Sequence, residues 1–367
     1  MAEVNQDRPA PAGRRVWPVR RRPAPPEDIA ARDIAVREAA DQRPPPLDPE
    51  PPPRFDIAAL RLGALGLALV LALGIALVRV LGGGPPSVAD LRAEAGVDGW
   101  PVLPIGVKAD QPGVAYFDSA NGVWSGFDID IAYMIAEDLG FRRSDVQFYA
   151  MQSEDRARMQ ATDDHGGRVP VKMVIASYSI NADREAKTGV TFSAPYLFTE
   201  QSVLTLAGHK PVAALDDFRG QDVCTLSAST SQAAPGRAQA TVISKNTISE
   251  CIEELRAKKV DAVTTDAAIL AGYKAASPKE FAHWDLGLDD TEAWGVNVGE
   301  NEALRQLVDL TLYRSLKDPR DNRWEIAYEK NLQSEVEANK GTPIAVAQQP
   351  DVPEPDVREQ PWEDVVP

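Results

Sequence analysis

Apolar and polar positions along this chain change period twice, and each change marks a boundary. Residues 62–78 read LGALGLALVLALGIALV, without a charge, between Arg61 and Arg79. At 1.5 Å per residue this run makes about 25 Å of helix. Val80, Leu81 and snorkelling by the flanking arginines extend it toward the roughly 30 Å of a hydrocarbon core. The run is apolar all round, which predicts a transmembrane helix over 57–82 rather than the core helix of a globular domain. From Val102 the pattern turns to short apolar strands alternating with amphipathic helices. Strands are predicted over 103–107, 146–149, 171–176, 202–207, 222–226, 262–265 and 295–298. Helices are predicted from 126 to 139, where Ile131, Ile135 and Leu139 recur at i, i+4 and i+8, and over 248–257, 269–275, 301–317 and 324–333. Such alternation implies an α/β fold with parallel-rich sheets.

Composition separates the ends from this body. Residues 1–56 hold thirteen of the thirty prolines, including Pro44-Pro45-Pro46 and Pro51-Pro52-Pro53. That composition predicts a disordered, extended Pro/Arg-rich arm. Residues 83–100 read as a linker with a short helix, and 336–367 as a disordered acidic tail.

Charge then sets direction and excludes one class of partner. The chain carries a net −16, and its acidic body excludes nucleic acid, which needs a basic face. The first 26 residues hold six arginines and two acids. The positive-inside rule therefore places the N-terminus in the cytoplasm and the folded body outside. More than fifty residues precede the apolar run, too long a leader for a cleaved signal peptide, and no lipobox cysteine follows it. An uncleaved signal anchor is expected. Outside a membrane, Cys224 and Cys251 read as a disulfide. His165, His209 and His283 are the only histidines, and none sits in a nucleophile or metal-ligand pattern. No cofactor, metal or catalytic set is expected.

Several segments resemble, in order, the polar amino-acid-binding family of periplasmic-type solute-binding proteins, with closest likeness to the actinobacterial glutamate/glutamine type. They are Gly106-Val107-Lys108-Ala109-Asp110-Gln111-Pro112, Gly126-Phe127-Asp128-Ile129-Asp130, Ser179-Ile180-Asn181-Ala182-Asp183-Arg184, Phe192-Ser193-Ala194-Pro195-Tyr196 and Lys259-Val260-Asp261-Ala262-Val263-Thr264-Thr265-Asp266. The resemblance covers residues 101–335. It implies a two-lobe, type II periplasmic-binding-protein architecture. Lobe 1 would comprise 101–200 and 292–335, and lobe 2 residues 201–291, joined by two crossover strands.

The resemblance also implies a binding site for a free amino acid. Arg184 would clamp the ligand carboxylate, since a guanidinium matches that plane with two parallel hydrogen bonds. Ser177 and Ser179 would offer a carbonyl and a hydroxyl, with Ser179 standing where the family more often has Thr. Asp266 would pair with the ammonium, or cap the helix it precedes. Ser229 and Thr230 would supply loop donors to the carboxylate, with Ala228 where the family commonly has Gly. Asp110 would help hold the ammonium. Lys108 would meet a side-chain carboxylate, favouring glutamate or aspartate over glutamine. Tyr116, Phe117 and Trp124 read as core rather than ligand contacts. The implied partner is an ABC-type permease. A signalling partner of the cytoplasmic arm, and a dehydratase or lytic enzyme on the same fold, are the alternatives.

Overall fold

The computed structural model describes residues 57–81, 84–163, 165–286 and 291–359. The arm over 1–56 and the last residues of the tail lie outside these. Among the described residues the chain divides inside the apolar helix Ile57–Leu81, and the larger unit begins at Gly74. Along Ile57–Leu77 this helix is unburied throughout, and it is long and apolar enough to cross a membrane.

The larger unit contains two α/β lobes. In lobe 1, Leu103–Val107 lies between Val146–Ala150 and Met173–Val174, parallel to both. Gln160–Thr162 and Arg168–Pro170 extend the sheet antiparallel. The predicted strand over 171–176 shrinks to two residues, because the chain turns at Ser177 into the cleft. The helix Phe127–Asp138 buries Ile131 and Ile135 against the core. Its entry depends on Gly126 at φ 125°, where a Cβ would overlap the Val114 carbonyl. A three-stranded hairpin sheet, Asp110–Gln111, Ala115–Asp118 and Val123–Ser125, precedes that helix and is not legible from apolar alternation.

In lobe 2, Asp222–Leu226 lies between Thr241–Lys245 and Ala262–Asp266, parallel to both. The helix Ile248–Arg256 is held at its start by a capping box between Thr247 and Glu250, and buries Ile248, Cys251, Ile252 and Leu255. Cys251 is bonded to Cys224 of the central strand, with Cα atoms 5.5 Å apart. Closing this loop stabilises by about 3–4 kcal/mol in the chain-entropy picture.

The ten-residue strand Leu197–Leu206 joins the lobes. Its first residues pair with Thr291–Trp294 and its later ones with Ala262–Asp266 and Phe281–Asp285. Strand 291–294 thus lies slightly before the predicted 295–298.

The short helix expected in the linker is Val88–Ala95, capped at both ends, with Leu91 and Ala95 buried in the lobe 1 core. One expectation for the flanks needs correction. The tail over 336–359 is packed rather than disordered. Ile344 and Val352 are buried in the core, Gln349 donates to the Leu312 carbonyl, and Val346 to that of Phe198. Proline and acid counts misread this stretch because a few apolar residues, each bedded in a prepared groove, suffice to fix an extended chain.

Candidate functional site

Lobe 1 shapes its side of the cleft around one left-handed residue. Ser177 has φ 44°, and its N–H donates to Asp128 Oδ2 at 2.9 Å while Tyr196 Oη donates to Oδ1 at 2.9 Å. Asp128 is fully buried, and burial pushes its carboxyl up to about 7 against both hydrogen bonds. This turn aims carbonyls at Arg156, whose Nη1 donates to Ala176 O at 3.2 Å and Ser177 O at 2.9 Å. Arg184 Nη1 donates to Ser179 O at 2.6 Å. The two guanidinium carbons lie 4.5 Å (Arg156) and 4.7 Å (Arg184) from the centre of the Tyr178 ring, a cation–π arrangement. Burial lowers the pKa of both arginines, Arg156 to about 9 with the like charge of Arg184 as second cause. At about 9, Arg156 remains cationic at neutral pH.

Lobe 2 faces them with a carboxylate and a loop. Asp266 ends the strand Ala262–Asp266 and occupies the N-cap position of the helix Ala267–Ala276, yet its side chain makes no cap bond. Instead Trp294 Nε1 donates to Oδ2 at 2.6 Å. Burial raises its carboxyl to about 7, Glu292 adds to the rise, and Trp294, Arg184 and Arg156 oppose it. The loop carries Ser229, whose hydroxyl donates to Leu226 O at 2.8 Å, and Ala228 at φ 55°. The Ala228 carbonyl accepts from Nη2 of both Arg156 and Arg184 at 3.3 Å, so the lobe 1 arginines meet lobe 2 there.

Arg184, Ser177, Ser179, Ser229, Thr230 and Asp266 come together around this cleft, which is narrow and leaves about 10 Å³ of free space between the lobes. Arg156 and Thr265 complete its polar lining. The sequence reading missed Arg156. It sits in a 3-10 turn, Ser153–Arg158, with no apolar period to draw the eye. Its place beside Arg184, on the same Tyr178 ring, is visible only after folding. A broader depression beside Glu94, Glu300 and Glu302 is wide open and gathers one sign of charge, so it offers no comparable clamp.

Lys108 and Asp110 do not line the cleft. Lys108 is buried behind it, donating to Ser153 Oγ at 2.8 Å, and burial followed by Arg156 lowers its pKa to about 7. It props the turn whose Ser153 carbonyl accepts from Arg156 Nε at 3.0 Å. Asp110 instead joins the lobes. Its carboxylate accepts from Ser249 N, at the start of the helix Ile248–Arg256, at 3.0 Å, and its carbonyl accepts from Tyr273 Oη. An anion at a helix N-terminus is favoured by the orphan N–H groups there. Tyr116, expected in the core, is instead 41% exposed, and the Phe117 and Trp124 rings pack 4.7 Å apart at a tilt of 36°, all away from the cleft.

One histidine does form a nucleophile-like array. His283 Nε2 is 2.7 Å from Ser202 Oγ, and Nδ1 is 2.7 Å from Asn339 Oδ1. Ser202 is fully buried and outside the cleft, so no substrate reaches it. The array ties elements together.

Comparison with known proteins agrees with this geometry. Residues 103–240 match the model for bacterial extracellular solute-binding proteins, family 3. The glutamate-binding protein GluB of Corynebacterium glutamicum is 33% identical over 188 residues, 48% of this chain and 59% of that protein. GluB of Corynebacterium efficiens is 31% identical over 213 residues, 54% of this chain and 68% of that protein. The chain belongs to this solute-binding family. The match thus spans less than two thirds of the first relative's length. An ancestral arginine-binding protein bound to arginine, 26% identical, superposes with a TM-score of 0.54 over 63% of this chain and 98% of that one. The two-lobe type II fold and the amino-acid-binding kinship follow together, and the relatives compared are named as binding proteins.

Proposed function

We propose that this protein binds a dicarboxylic amino acid, glutamate or aspartate, outside the cytoplasmic membrane and delivers it to an ABC-type permease. The observation that carries this reading is the charge of the cleft: two buried guanidiniums, Arg156 and Arg184, face one carboxyl, Asp266. A ligand with two carboxylates and one ammonium is its complement. Arg184, with Ser229 and Thr230, is assigned to the α-carboxylate, Arg156 to the side-chain carboxylate, and Asp266 to the ammonium. Ser177 and Ser179 frame the ligand with their carbonyls. Each guanidinium exchanges its bond to the Ala228 carbonyl for a stronger charge-assisted one. The names of the two GluB relatives support the same ligand class.

The site binds and does not catalyse in this reading. No step is assigned to any side chain, and Asp110 and Lys108 act in lobe contact and support rather than on the ligand. The helix Ile57–Leu81 is assigned as a signal anchor with the N-terminus in the cytoplasm, in line with the arginines before it. Closure works by differential affinity, the ligand binding the closed form better than the open one.

Calorimetry of the full chain in detergent against the twenty amino acids tests the proposal. Glutamate or aspartate binding tightest supports it. Tighter binding of glutamine, arginine or cysteine would reassign Arg156, and heat from none of them would remove the amino-acid reading.

A further inference from the structure

The tail that composition marked as disordered crosses the hinge. Residues 344–346 lie along the strand Leu197–Leu206 where it leaves lobe 1. Val346 N donates to Phe198 O at 2.9 Å, Thr199 Oγ1 donates to Ile344 O at 2.6 Å, and Thr199 bridges Ala345 in antiparallel fashion. The opposite edge of the same residues already pairs with Thr291–Trp294. Both edges of this crossover strand are therefore filled at Phe198 and Thr199. The Thr199 hydroxyl also accepts from Ala268 N, in the first turn of the lobe 2 helix Ala267–Ala276, at 3.3 Å.

On either side of the hinge the tail is moored to a different lobe. Toward lobe 2, Asn339 bonds His283 at 2.7 Å, and through it Ser202, while Thr342 Oγ1 donates to the His283 carbonyl at 3.1 Å. Toward lobe 1, Gln349 Nε2 donates to Leu312 O at 2.8 Å. Further along, Arg358 N donates to Pro86 O at 2.9 Å, beside the capped helix Val88–Ala95.

We propose that residues 339–359 are a hinge strap, tied to both lobes, which biases the two-lobe unit toward its closed form before any ligand arrives. A rotation that opens the cleft changes the backbone angles of the crossover strands. With two strands such a rotation bends only their mutual pairing. With the strap in place it also shears the bonds at Phe198 and Thr199, because the strap's ends are fixed to bodies that move apart. The strap thus sets the open population, which in turn sets how fast ligand enters.

Two substitutions separate the strap from the core. Val346→Pro removes the N–H that bonds Phe198, and the Val346 side chain is 47% exposed, so no core packing is lost. Gln349→Leu removes the amide that moors the strap to the Leu312 carbonyl and keeps the volume. The probe is the distance between spin labels at Glu137→Cys in lobe 1 and Glu253→Cys in lobe 2, both exposed positions, in the full chain without ligand. The native cysteines are bonded to each other and take no label. Each strap bond lost is expected to raise the long-distance, open population about fivefold, as one net hydrogen bond implies. Distributions in both variants that superimpose on that of the parent overturn the strap. Should Val346→Pro not fold, Gln349→Leu decides alone. Because no ligand is used, the result stands apart from the identity of the amino acid bound.

Discussion

The two walls of the cleft solve different problems with different parts. The lobe 1 wall is made of side chains braced from behind: Arg156 on the carbonyls of Ser153, Ala176 and Ser177, Arg184 on that of Ser179, both beside Tyr178. The lobe 2 wall is one carboxyl held by Trp294 and a loop whose Ala228 sits in the left-handed region. The first wall keeps two like charges close in a buried place, which is tolerable only with several acceptors fixed in advance. The second is braced within its own loop, Ala228 N donating to Gln232 Oε1 and Ser229 Oγ to Leu226 O, so each wall is fixed by its own lobe before the two meet.

Removing the braced charge should have the largest effect. Arg184→Ala is expected to weaken glutamate binding by about 3 kcal/mol, more than a hundredfold, in calorimetry. An effect below threefold would take the carboxylate clamp away from lobe 1. Arg156→Gln keeps a donor toward the Ser177 carbonyl and deletes the charge. Glutamate affinity should then fall at least about tenfold more than glutamine affinity, as the loss of one charged hydrogen bond implies. Equal losses would make Arg156 a brace and not a discriminator.

The remaining tests act on the lobe 2 side. Gly272 abuts the Pro112 carbonyl across the lobes, so an added Cβ would overlap it. Gly272→Ala favours the helix by about 1 kcal/mol yet wedges the closed form. Affinity should drop about tenfold and the melting temperature should fall, because the overlap is with backbone and the ligand-free chain already favours the closed form. An unchanged affinity would mean that the lobes meet differently when closed. Asp266 has its carboxyl raised to about 7 by burial, so below that pH it is neutral and offers no charge to an ammonium. Glutamate affinity should therefore rise as pH increases from 6 to 8, and Asp266→Asn should flatten the profile. The smallest effect belongs to Ala228→Gly. Relief of the left-handed alanine should stabilise the ligand-free chain by about 1 kcal/mol, read as a small rise in melting temperature.

His283 shows how charge and burial mark the strap as well. Burial lowers its pKa to about 4, below the 6.5 of an exposed imidazole. The stability this neutral histidine contributes is present above pH 6.5 and is lost as pH falls from there toward 4. The bond from His283 Nδ1 to Asn339 Oδ1 survives protonation and opposes the shift, so low pH acts on this mooring through the cost of burying the charged ring.

Much of this was written in the order of residues. The uncharged run over 62–78 determined a helix of membrane-spanning length, because apolarity on every face leaves no side for water. Strand and helix periods determined an α/β fold with parallel-rich sheets, and the family resemblance implied its two lobes and six of the residues that meet in the cleft. Neighbours in sequence cannot say which way a side chain points once the chain turns, however. Lys108 and Asp110 share a motif with the site, yet the turn after the first strand sends one behind Arg156 and the other to the start of a lobe 2 helix. Arg156 joined the site through contacts 20 and 21 residues away, and 72 residues away at Ala228. The tail was decided later still. Its few buried residues find grooves assembled from the hinge strand, the helix Glu302–Lys317 and the stretch around Pro86. Local composition measures how much apolar surface a segment carries, whereas order there depended on whether the rest of the molecule had built a place to put it.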